Sequence, residues 1–199
     1  MPKLAQSSST KAEEVKEALA DTAYRLFREK GFDQVGVRDI AAALGMTTGA
    51  VYYHFKNKSE ILNYHAQKNG KWLVEESPAL LEGLPPREKI LELLAEHLCG
   101  IFEKEGYELC EYRMFIKHYA RRESPYLFRL LAQLTDEYLR AENLSDRFEA
   151  EQVTRDLLMV CRGVEYDWCI HQGVYPIRPK MRQMISMVLD ALNMDDKTA

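Results

Sequence analysis

The chain has 199 residues, of which 46% are hydrophobic and 29% charged, and its formal net charge at pH 7 is -4. This composition excludes collagen-like, low-complexity and disordered proteins, and a chain of this length can form one or two domains with cores of their own. No apolar run approaches the roughly 18 residues of a membrane span, and the polar stretch Ser7 to Ser9 gives no sign of a signal peptide.

Three short or amphipathic helices are predicted first along the chain. The segment Thr10 to Glu13 has the spacing of a capping box, so a helix begins there, and Gly31 suits its C-terminal end. A second helix covers Val37 to Leu44, and Thr47 is a good N-cap for a third, Thr48 to Phe55. Helices of two turns are unstable alone, so these must pack together.

The rest of the chain is predicted to be helical, without strands. Ser59 caps a fourth helix from Glu60 to about Glu76, and the turn residues Ser77-Pro78 and Gly83 to Pro86 end this region. The following helices are predicted around Leu91 to Phe102, Leu109 to Arg121, Pro125 to Asn143, Phe148 to Gln172 and Pro179 to Asn193. The prediction is an all-α protein with about nine helices.

The second and third helices have the layout of a helix-turn-helix, in which the second of the pair enters the DNA major groove. A helical wheel predicts that Val51, Tyr52 and Phe55 form a core face. It leaves Gly49, Ala50, Tyr53 and His54 on a free face of small and hydrogen-bonding residues, which suits a groove. Between Gly36 and Lys58 three basic residues oppose one acidic residue, so a small basic surface is expected on an acidic protein.

These residues resemble the DNA-binding domain of the tetracycline-repressor (TetR) family of transcriptional regulators. The resemblance rests on Gly31-Phe32, Val37 to Ala41, Leu44-Gly45, Thr47, Gly49, Val51 to Phe55, Asn57-Lys58 and Leu62. It implies a three-helix DNA-binding domain, placed at residues 10–58, and a helical ligand-binding and dimerisation domain at residues 59–199.

The resemblance also implies roles for individual residues. Groove or base contacts are expected from Arg38, Thr48, Gly49, Ala50, Tyr53 and His54, and phosphate contacts from Tyr52, Tyr53, His54 and Lys58. The hydroxyl of Thr47 and the helix N-terminus behind it form a further phosphate site. This chain has Gly36 where family members often have Ser or Thr, which removes one phosphate contact.

A second group of aromatic and polar residues is a candidate ligand pocket. It comprises Trp72, Phe102, Tyr112, Arg113, Phe115, His118, Tyr119, Tyr166 and Trp168. Such a pocket would select a small apolar or aromatic effector, with Arg113 or His118 as polar anchor. The alternative is that the rings are only core, and that Arg113 pairs with Glu111 or Glu165.

The predicted function is a homodimeric DNA-binding regulator, a repressor released from a palindromic operator by a small molecule. The dimer is expected to form through the last two helices. Their apolar stripes are Val153, Leu157, Val160 and Val164 on one helix and Met184, Ile185, Val188 and Leu192 on the other. No nucleophile, phosphate loop or cofactor motif is present, and His118 with Cys110 or Cys169 lacks metal-ligand spacing. The four cysteines lack C-x-x-C pairing, which favours free thiols in a cytoplasmic protein. An all-α enzyme or carrier with merely structural N-terminal helices is the alternative.

Overall fold

The computed structural model describes residues 4–115 and 125–194, except for the side chains of residues 4–10 and 115. Nine helices account for the regular structure of these ranges, and no strand occurs in them. They are α1 (Leu4–Lys30), α2 (Val37–Ala43), α3 (Thr48–His54), α4 (Lys58–Leu80), α5 (86–105), α6 (Tyr107–Phe115), α7 (Pro125–Ala141), α8 (Ala150–Ile170) and α9 (Ile177–Met194). The predicted all-α class is confirmed.

The chain forms two compact units that divide between Lys68 and Asn69. Helix α4 contributes residues to both, because it begins at Lys58 and ends at Leu80. The predicted domain boundary, between residues 58 and 59, lies at the start of this helix.

The first unit is a small helical domain with one core. Leu19 and Phe27 of α1, Ile40 of α2, Val51 of α3 and Ile61 of α4 are all buried in it. Since full burial of a side chain of this size contributes roughly 1.5–3 kcal/mol, the two-turn helices α2 and α3 depend on this core rather than on their own hydrogen bonds.

The second unit has a larger core, formed by α5, α7, α8 and α9. Leu93, Leu131, Leu157 and Ile185 are each 0% exposed in this core. The buried polar atoms in it are paired: the hydroxyl of Tyr138 donates to the carbonyl of Leu189 over 3.1 Å and accepts from the side-chain amide of Asn193 over 2.8 Å.

Several predicted helix boundaries are wrong at the N-terminal side. Helix α1 begins at Leu4 rather than at Thr10. Helix α4 begins before Ser59, because the side chain of Asn57 accepts the N–H of Glu60 over 2.9 Å and thereby caps the helix. The carboxylate of Glu60 in turn accepts the N–H of Lys56 over 2.6 Å.

The C-terminal end of α4 is also longer than predicted. The helix continues through Ser77 and Pro78 to Leu80 instead of ending in a turn. The extended helix carries Ser77 into the second unit, where this residue and the following Leu81 are both buried.

The apolar stripes expected to form a dimer interface are buried only in part. Val153, Leu157, Val164 and Ile185 are at most 5% exposed within the single chain and fill the core of their own unit, where α8 and α9 pack against each other. The other members of the stripes are half-buried beside that core: Val160, Met184, Val188 and Leu192. That these two helices form the interface stays a prediction.

Among the helices of the described residues, none combines the length and the apolar character that crossing a membrane would require.

Candidate nucleic-acid interface

Capping interactions position the two helices of the helix-turn-helix. At the start of α2, the carboxylate of Asp39 accepts the N–H of Gly36 over 2.7 Å. At the start of α3, the hydroxyl of Thr47 accepts the N–H of Ala50 over 3.2 Å, as predicted for an N-cap. The turn between them contains Gly45 at φ +62°, a conformation that glycine adopts without steric cost.

The structure also explains the glycine that departs from the family pattern. A Cβ atom at position 36 would lie 3.3 Å from the carboxylate of Asp39. A serine at this position would therefore require the Asp39 carboxylate to shift by a few tenths of an ångström. Gly36 makes no side-chain cap of its own, and the side-chain contact at the start of α2 is the bond from its N–H to Asp39.

Helix α3 buries a narrow face and exposes the rest. Val51 and Phe55, one turn apart, are 0% and 2% exposed. Tyr53 is 84% exposed, and Gly49 is exposed beside it. Tyr52 was predicted to belong to the core face, but its side chain is 55% exposed, because only residues in line with Val51 and Phe55 point inward. Its exposure makes Tyr52 available for contacts outside the protein.

The other proposed contact residues of this region are also accessible, to different degrees. Arg38 on α2 and Thr47 are exposed, while Thr48, Ala50 and His54 are half-buried. The ring of His54 packs edge-on against that of Tyr53, with centroids 5.1 Å apart. Although the oxygen of Thr47 accepts a capping bond, its hydroxyl proton remains able to donate to a phosphate.

Lys58, which was predicted to contact a phosphate, also makes contacts within the protein. Its ammonium donates to the carbonyl of Phe32 over 2.8 Å and lies 4.5 Å from the centre of the Phe32 ring. Phe32 follows the C-terminal end of α1, where a positive charge is stabilising. Lys58 therefore ties the start of α4 to the loop between α1 and α2, and can offer a phosphate only its remaining N–H donors.

Replacing Lys58 by methionine should accordingly lower stability as well as DNA affinity. A hydrogen bond to a charged group contributes roughly 1.5–3 kcal/mol, and we expect a loss of about 1.5 kcal/mol because the group is partly exposed. DNA of every sequence should bind more weakly. The slope of log affinity against log salt concentration should become shallower by about one, which corresponds to one lost phosphate contact. Denaturant unfolding and salt titrations measure both effects.

The matched control is Lys56→Met, because the exposed side chain of Lys56 lies two residues away in the same turn. Equal unfolding free energies for the two variants would contradict the structural role of Lys58.

Polar contacts within the first unit also fix the start of α4 against α1. The hydroxyl of Tyr64 donates to Glu13 over 2.7 Å, and the ring of His65 stacks on that of Tyr24 with centroids 3.7 Å apart. Burial, followed by the hydrogen bond to Glu13, raises the pKa of Tyr64. Tyr64 therefore remains a protonated donor in this contact.

The predicted pocket residues that the structure describes lie in the second unit, in different surroundings. Phe102 and Trp168 are buried, Tyr112 is half-buried, and Trp72 and Tyr166 are about half exposed. The indole of Trp168 donates to the carbonyl of Tyr175 over 3.0 Å. The side chain of Phe115 and the whole of His118 and Tyr119 lie outside the described residues.

Two surface grooves of this unit involve other residues. One of about 410 Å³ is lined by Tyr175, Pro176, Pro179 and their neighbours, and one of about 440 Å³ by Arg147, Phe148, Gln152 and theirs. Of the predicted pocket residues whose side chains the structure describes, none lines either groove.

Arg113 is buried in a cluster of charges. One terminal nitrogen pairs with Glu165 over 2.7 Å and the other pairs with Glu105. The pairing with Glu165 was one of the alternatives predicted from the sequence, whereas Glu105 was missed. The amide of Asn69 also donates to Glu105, over 3.3 Å. Two carboxylates contact this one guanidinium, so the positive charge of Arg113 is already compensated within the protein and one carboxylate is in excess.

The surplus carboxylate should make stability depend on pH. Burial raises the pKa of Glu165, despite the lowering effect of Arg113. The folded chain therefore binds this proton more tightly than the unfolded chain. The contribution of Glu165 to the free energy of unfolding is therefore largest at low pH. It falls as the pH rises from about 4 through the raised pKa.

We expect Glu165→Gln to remove this decline, measured as melting temperature against pH. Glu151→Gln is the control, because Glu151 is exposed and pairs with Arg155 at the surface. A pH profile unchanged by Glu165→Gln would show that Glu165 is ionised across the range.

A comparison with models of protein families matches part of the first unit. Residues 19–64 match the family model described as bacterial regulatory proteins, tetR family. The transcriptional regulator AcrR of Shigella flexneri is 37% identical over 60 residues, which cover 30% of this chain and 28% of AcrR. The probable acrEF/envCD operon repressor of Escherichia coli K12 is 29% identical over 109 residues, which cover 54% of this chain and 41% of that repressor. The chain thus spans less than half the length of these relatives.

Solved structures are similar over most of the chain. A TetR-family transcriptional repressor, FadR of Thermus thermophilus in complex with lauroyl-CoA, has a TM-score of 0.69 at 21% identity and covers 87% of this chain and 93% of its own. A regulator of the TetR/AcrR family from Thermobifida fusca has a TM-score of 0.67 at 23% identity, covering 89% and 97%. At these identities the likeness establishes a shared fold.

Proposed function

We propose that the chain, whose residues 19–64 match the tetR family of bacterial regulatory proteins, is a homodimeric repressor of transcription. In this proposal it binds a palindromic DNA operator and leaves the operator when a small molecule binds. The observation that carries the proposal is the exposed face of α3. Tyr53 is 84% exposed on a helix whose opposite residue, Val51, is fully buried. Regulators of this family are not enzymes, which sets aside the alternative of an all-α enzyme.

The contacts divide by chemistry. We assign groove and base-edge contacts to Tyr53 and His54 on α3, which follow its small N-terminal residues Gly49 and Ala50, and to Arg38 on α2. Phosphate contacts come from Thr47 and Thr48 at the N-terminus of α3 and from Lys58 at that of α4, where hydroxyl and ammonium donors suit an anion. The exposed hydroxyl of Tyr52, further along α3, is a fourth donor.

Gly49 supports this assignment independently. Apart from its two chain neighbours and the nearby backbone of α3, a Cβ atom at this position would lie no closer than 3.8 Å to any atom of the protein, the nearest being the hydroxyl oxygen of Thr47. The fold itself therefore does not require glycine here. A small residue is explained by the close approach of α3 to a second surface, such as the floor of a DNA groove.

The direct test is binding to the DNA upstream of the protein's own coding sequence. Fluorescence anisotropy at a stated salt concentration should find a short palindrome that binds at least about 1,000-fold more tightly than its scrambled version, the lower end for specific DNA recognition. Equal affinity for both would contradict sequence-specific binding.

Dimerisation is proposed through the outer faces of α8 and α9. Met159, Tyr166 and Ile170 on α8 are 62%, 50% and 50% exposed, and they recur at helical spacing with the exposed Gly163 between them. On α9, Met187 is 57% and Met194 70% exposed. Large apolar side chains arranged on one helix face are typical of a protein interface. A symmetric dimer would place two recognition helices about 34–36 Å apart, one turn of DNA.

The effector is proposed to be a small apolar or aromatic molecule bound in the second unit. The aromatic content of this unit supports the proposal, whereas Arg113, already paired with two glutamates, does not serve as its polar anchor. A molecule that prefers the form unable to bind DNA must lower the affinity for DNA. By thermodynamic linkage, DNA lowers the affinity for that molecule by the same factor.

Mass spectrometry of small molecules that co-purify, followed by calorimetry and DNA release, tests the effector proposal. A compound that binds without changing DNA affinity would not be the effector. A reporter gene behind the operator distinguishes repression from activation. The site of action is the cytoplasm, where bacterial DNA lies.

A further inference from the structure

Helix α5 contains an irregularity that the proposed function does not use. Its ends, Pro86–Leu91 and Cys99–Glu105, are α-helical, but Glu92–Leu98 between them is a π-helix. All other helices of the described residues are α-helices. A π turn is rare, and it often marks a functional position in a helix.

The side chains of this segment depend on the π register. The imidazole Nε2 of His97 lies 3.6 Å from a carboxylate oxygen of Glu92, five residues earlier. In an α-helix, residues five apart are separated by about 140° around the axis, so these side chains would point to different sides. In a π-helix the hydrogen bonds join residues five apart, which brings the two together. The Glu92–His97 contact is thus a property of the π register.

The other nitrogen of His97 connects the segment to α4. Its Nδ1 lies 3.2 Å from the hydroxyl of Ser77, which is 0% exposed. The next residue on α4 is Pro78, which has no N–H to donate to the preceding turn. The end of α4 therefore lacks one of its own hydrogen bonds and is held by the bond to His97.

Contacts on another side connect the segment to α9. Arg182 reaches Glu92 over 3.6 Å, and Arg178 reaches Glu96 over 3.0 Å. Glu92 thus contacts both His97 and Arg182. The π segment is therefore joined both to α4, through Ser77, and to α9, through Arg178 and Arg182.

We propose that residues 92–98 form a two-state element whose π register, stabilised by the contacts of His97 with Glu92 and Ser77, holds the end of α4 and couples α9 to it. In the α register His97 cannot keep both contacts, so the end of α4 is released. The consequence for DNA affinity rests on the proposed function, whereas the coupling between the segment and α4 does not.

The test compares Ser77→Ala, His97→Gln and the double variant in the full chain, with His171→Gln as control. His171 is exposed and contacts Asp167 on its own helix. Hydrogen exchange should accelerate at least about fivefold in residues 74–80 and 92–98 for each single variant. The double variant should show no increase beyond His97→Gln, because that substitution already removes the bond between Ser77 and His97. Operator affinity should fall at least about fivefold, the lower end of allosteric coupling.

The two readouts separate the two proposals. Acceleration confined to residues 92–98, or additive in the double variant, would overturn the coupling between the segment and α4. Operator affinity within twofold of the unsubstituted protein would overturn the consequence of that coupling for DNA binding. If the unsubstituted protein binds no operator, the proposed function fails, and hydrogen exchange alone still decides whether the segment is coupled to α4. Ser77→Ala removes a single hydroxyl, so this variant tests the coupling even if His97→Gln does not fold.

Discussion

Replacing Gly49 by leucine should abolish specific DNA binding while leaving the first unit folded. The position has room for a side chain in the free protein, and glycine within a helix costs roughly 1 kcal/mol relative to good helix formers. Stability should therefore stay equal or rise. On DNA, a leucine would keep α3 from the groove floor and remove several base contacts of about 1–3 kcal/mol each, so affinity should fall about 100-fold or more.

Anisotropy titrations and thermal unfolding measure the two effects separately. Ala18→Leu is the matched control, because it adds a side chain of similar size at an exposed position of α1. Tyr53→Ala and His54→Ala should each weaken operator binding by about 1–3 kcal/mol. Operator affinity unchanged in Gly49→Leu would mean that α3 does not enter the groove.

The second large effect concerns the outer face of α8 and α9. Tyr166→Glu combined with Met187→Glu should give folded monomers, because both side chains are at least half exposed in the single chain. In a symmetric dimer each new carboxylate would be buried on both subunits, at a cost of several kcal/mol per charge. Loss of the dimer should also remove most operator affinity, since one recognition helix then acts alone.

Ile185→Glu provides the contrast. Ile185 is 0% exposed in its own unit, so a charge there should unfold that unit rather than only separate the subunits. Sedimentation reports the mass and circular dichroism the helix content. An intact dimer for the Tyr166 and Met187 variant would move the interface to another surface, and a folded Ile185→Glu chain would contradict the core assignment.

The sequence by itself determined the all-α fold and the helix-turn-helix. Caps and helical periodicity involve residues three or four positions apart, so the roles of Thr47 as N-cap and of Val51 and Phe55 as core could be predicted locally. The many spaced positions of the first unit also carried the resemblance that the comparisons confirm.

Only the tertiary structure decided which side chains are free and which are paired. Lys58 meets Phe32 across 26 positions and Arg113 meets Glu165 across 52, and no local pattern specifies such contacts. Tyr52 is exposed because the buried face of α3 is narrow, and Ile185 is buried because α9 packs within its own unit. Burial and pairing are properties of the assembled core, because each depends on which distant residue fills the neighbouring space.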